Sequence, residues 1–345
     1  MPGVSLLERA RAVAARAALA LPHPVQRMLA GRPVRRGGEL LGVEPQLLLR
    51  LQRIGREPAI ESLPIPEGRL ATARQAALVA GDQPIGSVRD LDAGGVPARL
   101  YVPRGLAASE ASGLLVYFHG GGFVYGDLET HDAVCRVLAE QAGVRVLAVD
   151  YRLAPEAPWP AAVDDAVAAY RWVVEHADEL AADPGRIAVG GDSAGGNLAA
   201  LVAIAAARAG WRCAFQLLVY PVTDMTASME SRRTFGTGLF LTTRFMDLGR
   251  DTYVPDRGSW TDPRVSPLFA ELPEGLAPAY VATAALDPLR DEGEAYAARL
   301  AEAGAKVETR CFGGQIHGFV NMVGVGRSGP AAVAEIAAAL RAAIG

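Results

Sequence analysis

The stretch Gly190-Gly191-Asp192-Ser193-Ala194-Gly195-Gly196-Asn197 constrains this chain more than any other. It lies between an apolar β-type run, Arg186-Ile187-Ala188-Val189, and an Ala/Leu-rich run from Leu198 to Arg208. The pattern is strand, sharp turn, helix, with Ser193 at the apex of a Gly191-x-Ser193-x-Gly195 string. A serine held in a strained backbone conformation at so tight a corner leaves no room for β-carbons two residues to either side, which accounts for the glycines. A helix starting at the serine also points its first N–H groups, and the positive end of its dipole, at any charge developing there. A chain with 38 glycines can supply such a string by chance. The strand before it and the helix after it give the match its weight.

Around this turn the chain reads as serial βα units. Strand-like runs at Ile85–Leu91 and Val96–Val102, joined through Gly94-Gly95, predict an antiparallel hairpin. Further strands follow at Gly113–Phe118, Val144–Val149, 186–189, Ala214–Tyr220, Ala279–Leu286 and Val307–Cys311. Helices are expected near 129–141, 161–176, 198–208, 294–303 and 331–343. Eight strands of this kind imply an α/β fold with a mostly parallel sheet flanked by helices on both faces. Residues 1–80 read as helical, with helical spacing of apolar residues in Leu6–Ala20 and Pro45–Ile54. Between Pro221 and Pro278 the alternation breaks, and Phe235, Phe240, Leu241, Phe245 and Met246 lie among polar and proline residues, as in an inserted helical segment. The expected organisation is therefore a helical cap segment over 1–80, a first part of the core over 81–220, a second cap segment over 221–278 and the rest of the core over 279–345.

Bulk properties exclude several classes. At 345 residues, half of them apolar, the chain has ample material for one large decorated domain. A net charge of −4 provides no field for nucleic acid. The first sixty residues run against this, with ten Arg and four Glu, which reads as a solvated helical surface or, more sharply, as a patch suited to lipid or acidic surfaces. Cys135, Cys213 and Cys311 are far apart in apolar surroundings and read as buried free thiols, and the five histidines show no metal-ligand spacing, so no metal is expected. No apolar run reaches the ~18 residues of a membrane span. Ala12–Leu21 loosely imitates a signal peptide, but Arg16 interrupts it and Glu8 precedes it, so an amphipathic helix and a cytoplasmic location are expected.

In enzymes built on such a turn the chain order is serine, acid, histidine. Only one histidine follows Ser193, so a base, if there is one, must be His317, in a loop after the strand ending at Cys311. Loops beyond strand C-termini are where functional side chains of a parallel sheet gather. Fourteen carboxylates lie between Ser193 and His317. Asp287 is placed best, because it ends the apolar strand Ala279–Leu286; Asp291 and Glu292 fall a turn further, where capping or solvation suits them. A third element is His119-Gly120-Gly121-Gly122-Phe123, directly after the strand 113–118, whose glycines leave backbone N–H groups unobstructed. A phosphate-cradling loop would need a G-K-[ST] or G-x-G-x-x-G pattern that is absent. His119 reads as a hydrogen-bonding shaper of this loop.

Together these motifs resemble the hormone-sensitive-lipase-like branch of the α/β-hydrolases, which includes bacterial carboxylesterases and arylacetamide-deacetylase-like enzymes. The resemblance rests on His119–Phe123, Asp150-Tyr151-Arg152-Leu153-Ala154-Pro155-Glu156, Gly191–Gly195, Asp287–Gly293 and His317-Gly318-Phe319, and runs from about residue 85 to the C-terminus. Asp192 matches the G-D-S-A-G subgroup. The resemblance implies an α/β-hydrolase fold with a helical cap and a triad of Ser193, Asp287 and His317. It also implies an oxyanion hole from the N–H groups of Gly121, Gly122 and Ala194, with His119, Gly120 and Asp192 supporting the loop. The implied activity is hydrolysis of short- to medium-chain carboxylic esters of small molecules, with no cofactor. Amidase, deacetylase or acyltransferase chemistry on the same triad stays open, as does a homodimer. A non-catalytic small-molecule receptor is disfavoured, because receptors on this fold lack the histidine found here at 317.

Overall fold

The computed structural model describes residues 6–226 and 229–345; the first five residues of the N-terminal segment and residues 227–228 of the 221–278 segment lie outside the described residues. Its centre is an eight-stranded sheet. In chain order the strands are β1 (Ser87–Asp92), β2 (Pro97–Val102), β3 (Ser112–Phe118), β4 (Arg145–Val149), β5 (Ala182–Asp192), β6 (Phe215–Val219), β7 (Ala279–Leu286) and β8 (Val307–Ile316). Their spatial order is β8-β7-β6-β5-β3-β4-β2-β1. The β1–β2 and β2–β4 pairs are antiparallel and all other pairs are parallel.

The central strands are continuous apolar runs because both of their faces are covered. Every residue of β3, β4, β6 and β7 is buried. One face packs against helices Ala161–Glu175 and Ala194–Ala209, the other against Asp132–Ala142 and Ser328–Ile344. Edge strand β1 is mostly exposed, as suits a solvated hairpin arm.

Two strand boundaries differ from the sequence expectation by about a helical turn's worth of residues or more. Strand β5 starts at Ala182, ahead of the expected Arg186. Strand β8 continues past Cys311 to Ile316, with its register against β7 shifted between Phe312 and Ile316. Gly313 and Gly314 suggest a loop, but Gly314 accepts a hydrogen bond from Gly42 N–H at 2.8 Å, so the N-terminal segment takes up a backbone group at this irregularity. Cys311, expected to be buried, is exposed on edge strand β8; Cys135 is buried and Cys213 partly buried.

The N-terminal segment forms helices Leu6–Ala20, His23–Ala30, Val43–Gly55 and Ile65–Ala80, with a two-residue ribbon pairing Arg35–Arg36 with Glu39–Leu40. The stretch between β6 and β7 holds helices Glu230–Phe235 and Thr243–Tyr253. The two segments touch: Thr242 Oγ1 donates to Glu61 at 2.5 Å while capping helix Thr243–Tyr253 by accepting from Phe245 N–H. Arg69 in turn donates to Val124 O, Ala154 O and both oxygens of Glu156, tying helix Ile65–Ala80 to the loops after β3 and β4.

Candidate active site

Strand β5 delivers Ser193 to the C-terminal edge of the sheet, where the chain reverses into helix Ala194–Ala209. Ser193 sits at φ +56°, ψ −118°, a conformation that side-chain-bearing residues rarely adopt. It is fixed there by its N–H donating to Val219 O at 2.9 Å and its carbonyl accepting from Asn197 N–H and Val222 N–H at 3.1 Å each. The flanking glycines are sterically required. A β-carbon on Gly195 would stand 1.9 Å from Phe118 O, and one on Gly191 would stand 2.4 Å from the same atom.

Strands β7 and β8 bring two further side chains to this point. His317 Nδ1 lies 2.8 Å from Asp287 Oδ2, and its Nε2 lies 3.0 Å from Ser193 Oγ. An ionised carboxylate only accepts, so Nδ1 carries the proton, and Nε2 is left to accept from the serine hydroxyl. Asp287 is fully buried, and its other oxygen accepts from Leu289 N–H at 2.9 Å, which fixes the carboxylate plane. The Tyr220 ring packs against the imidazole at 4.4 Å between centroids.

The alternative acids point elsewhere. Asp291 accepts from Ser231 N–H and Arg290. Glu292 is buried, its Oε1 accepting from Thr223 N–H and Asp224 N–H at 2.7 and 3.2 Å. Burial pushes its carboxyl up to about 8, the two N–H donors opposing. The folded protein therefore keeps a proton that the unfolded chain releases above its ordinary pKa of 4.5. Stability from this group is fully present below about pH 4.5 and drains away as pH rises to about 8, after which it is constant. Glu292→Gln keeps an acceptor and cannot ionise. Its thermal stability relative to wild type is expected to improve steadily from about pH 5 to about pH 8, by at most about 5 kcal/mol. A pH-independent difference in unfolding midpoint would contradict this.

The glycine loop after β3 completes the constellation. Gly121 (φ +125°) and Gly122 (φ +62°) take backbone conformations that β-carbons resist, and a β-carbon on Gly121 would collide with Tyr125 O at 2.1 Å. Three buried side chains hold the start of the loop. Tyr151 OH donates to His119 O at 2.7 Å, and Gly120 N–H donates to Asp192 Oδ1 at 2.9 Å, so the His119–Gly120 peptide is clamped at both ends. His119 Nδ1 donates to Gly120 O at 2.8 Å, gripping the carbonyl of the peptide whose N–H belongs to Gly121. Burial, with nearby His131, pushes His119 down to about 4, so it stays neutral near pH 7. Among the described residues, the N–H groups of Gly121, Gly122 and Ala194 donate to no protein acceptor. All nine residues singled out in the sequence thus fall in one neighbourhood.

Sequence reasoning missed Tyr117, His131 and the loop-holding part played by Tyr151. Tyr117 OH donates to Asp192 Oδ1 at 2.8 Å, and His131 Nε2 lies 3.3 Å from the same oxygen. Burial pushes the Asp192 carboxyl up, but His131 and the hydrogen bonds from His131 and Tyr117 outweigh it and hold the group below its ordinary range. Tyr117 is one aromatic in an apolar strand, and His131 follows a loop; neither carries a local signal of contact with residue 192.

A family profile for the alpha/beta hydrolase fold matches residues 115–321, more than half of the chain. The chain belongs to the α/β-hydrolase family. A carboxylic ester hydrolase of Mycobacterium tuberculosis, LipN, is 45% identical over 338 residues, covering 93% of this chain and 88% of LipN. An ethyl acetate hydrolase of Pseudomonas putida is 38% identical over 82% of this chain and 93% of its own length. Among solved structures, an ester hydrolase from the metagenome of Lake Arreo, in complex with a bipyridine phosphonate derivative, is 43% identical with TM-score 0.83, covering 88% of this chain and 98% of that one. An esterase from Pyrobaculum calidifontis is 39% identical with TM-score 0.82 over the same shares. Among the described residues no helix is long and apolar enough to cross a membrane.

Proposed function

We propose that this chain is a serine carboxylesterase that cleaves short- to medium-chain esters through an acyl-enzyme on Ser193. The observation that carries the reading is the unbroken contact from Ser193 Oγ through His317 to buried Asp287. In this mechanism Nε2 of His317 takes the hydroxyl proton as Oγ attacks the ester carbonyl, and Asp287 stabilises the imidazolium so formed. The N–H groups of Gly121, Gly122 and Ala194 receive the developing oxyanion, each worth about 3 kcal/mol in the transition state. His317 passes its proton to the departing alkoxide, which leaves as alcohol. Water, deprotonated by the same imidazole, then releases the acid.

Residues 1–80 and 221–278 act as a cap on a core made from 81–220 and 279–345. Cap aromatics support a pocket of limited depth. The Phe245 ring would stand 3.2 Å from a β-carbon on Gly122 and stacks on Tyr125, and the Phe240 ring would stand 3.0 Å from one on Gly318, next to His317. The cytoplasm is the compartment we assign, supported by three cysteines that form no disulfide.

The test is a p-nitrophenyl ester series from acetyl to palmitoyl, paired with inactivation by diethyl p-nitrophenyl phosphate and mass mapping of the adduct. The expected result is an optimum at butyryl to octanoyl esters, a kcat/KM at least about tenfold lower for palmitoyl, and a single diethylphosphoryl group on Ser193. Phe245→Ala should move the optimum towards longer acyl chains. No turnover of any ester, or an adduct elsewhere, would overturn the assignment.

A further inference from the structure

We infer that the outer face of residues 21–56 docks on an anionic lipid bilayer. Two independent features of one surface point to this ligand. The first is charge: Arg27, Arg32, Arg35, Arg50 and Arg56 are exposed and, among the described residues, none has a carboxylate partner. They belong to a first sixty residues with ten arginines and four glutamates, in a chain whose net charge is −4. One of those glutamates, Glu44, is already engaged by the N–H groups of Arg327 and Ser328.

The second feature is apolar. Met28 is 72% exposed, Ile54 68% and Leu29 39%. The inward side of the same helices is already filled, since Leu19, Ala30, Leu47 and Leu48 form a buried cluster with Val79 and Val325. The exposed side chains are therefore surplus to the core. They are also neighbours of the arginines. Gln46 Nε2 donates to Ala30 O at 2.9 Å and Arg32 O at 2.8 Å, which lays the end of helix His23–Ala30 along Val43–Gly55, and the Arg50 guanidinium lies over Gly31. Apolar side chains flanked by unpaired guanidinium groups suit the lipid headgroup boundary, with the arginine stems buried and their heads on phosphate. A soluble acidic partner would leave Met28 and Ile54 unexplained.

The face also leads to the reaction centre. Arg53 donates to Gly238 O at 3.2 Å and Arg36 to Thr237 O, holding the turn that carries Phe240 to Gly318 and His317. Docking here would bring an ester dissolved in the membrane to the side of the molecule where His317 lies. The binding claim itself does not depend on the esterase reading.

The experiment is cosedimentation of the full chain with vesicles of phosphatidylcholine alone or with phosphatidylglycerol at about one lipid in three, at low and high salt. Binding to the mixed vesicles only, weakened by salt, is expected. The triple variant Arg27→Glu/Arg50→Glu/Arg56→Glu should bind at least about a hundredfold more weakly, at about fivefold or more per arginine. Met28→Ser/Ile54→Ser should bind vesicles about tenfold more weakly while its retention on heparin is unchanged. Both variants should hydrolyse p-nitrophenyl acetate as wild type does, so failure to dock and failure of the esterase reading are separate results. Equal binding to both vesicle types, or wild-type vesicle binding by either variant, would overturn the proposal.

Discussion

Ser193→Ala is expected to lower kcat/KM for a p-nitrophenyl ester by about 10⁴- to 10⁶-fold while leaving the unfolding midpoint nearly unchanged. The substitution deletes one oxygen. That oxygen accepts no structural hydrogen bond from the protein; its contact is with His317 Nε2 at 3.0 Å. The features that hold the turn in place are backbone bonds, from Ser193 N–H to Val219 O and from Asn197 N–H and Val222 N–H to Ser193 O, and alanine keeps all three. The loss therefore falls on chemistry and not on folding. Groups acting as one unit lose their value together, so His317→Ala alone should cost about as much, and the double variant scarcely more than either single one. Additive losses in the double variant, or residual turnover above about one part in a thousand, would show that Ser193 is not the group that attacks the acyl carbon.

What could be read from the sequence follows from the range over which each signal acts. Strands β3, β4, β6 and β7 are legible because burial on both faces demands uninterrupted apolar residues, a property of five to eight consecutive positions. The elbow is legible because its steric demand falls within two residues of Ser193. His317 needed no pattern at all, only the absence of any other histidine after residue 193. Other features depend on partners distant in the chain. Strand β8 runs past Cys311 to Ile316, and within that extension Gly314 bonds to Gly42, more than 270 residues earlier. The start of helix Thr243–Tyr253 rests on Thr242, whose hydroxyl is held by Glu61, and no local window contains both. Exposed Cys311 misleads for a related reason: Val307-Glu308-Thr309-Arg310-Cys311 reads as a strand of the sheet, but that strand lies at the edge, and edge position is a property of the whole sheet.

Asp192 carries the second large expected effect, and here folding and catalysis should fall together. A single oxygen, Oδ1, accepts from Tyr117 OH at 2.8 Å and Gly120 N–H at 2.9 Å and lies 3.3 Å from His131 Nε2. Asp192→Ala strands these three donors in a buried site, which should cost about 3–5 kcal/mol of stability. It also frees one end of the His119–Gly120 peptide, leaving only the Tyr151 hydroxyl on its carbonyl. The next two N–H groups, on Gly121 and Gly122, then lose their fixed direction. Under conditions where the variant is fully folded, kcat should drop about a hundredfold with KM changed little, because donors aimed at an oxyanion act mainly in the transition state. Asp192→Asn retains an oxygen at the same place and should recover most of the stability and all but about tenfold of kcat. Inhibition by a trifluoromethyl ketone, whose hemiketal adduct with Ser193 Oγ presents the same oxyanion, separates loop positioning from simple loosening. Its Ki should rise in step with the fall in kcat/KM across both variants. An Asp192→Ala enzyme that is destabilised but keeps its kcat and its affinity for the ketone would limit Asp192 to a folding role, and the oxyanion donors would then be held by His119 and Tyr151 alone.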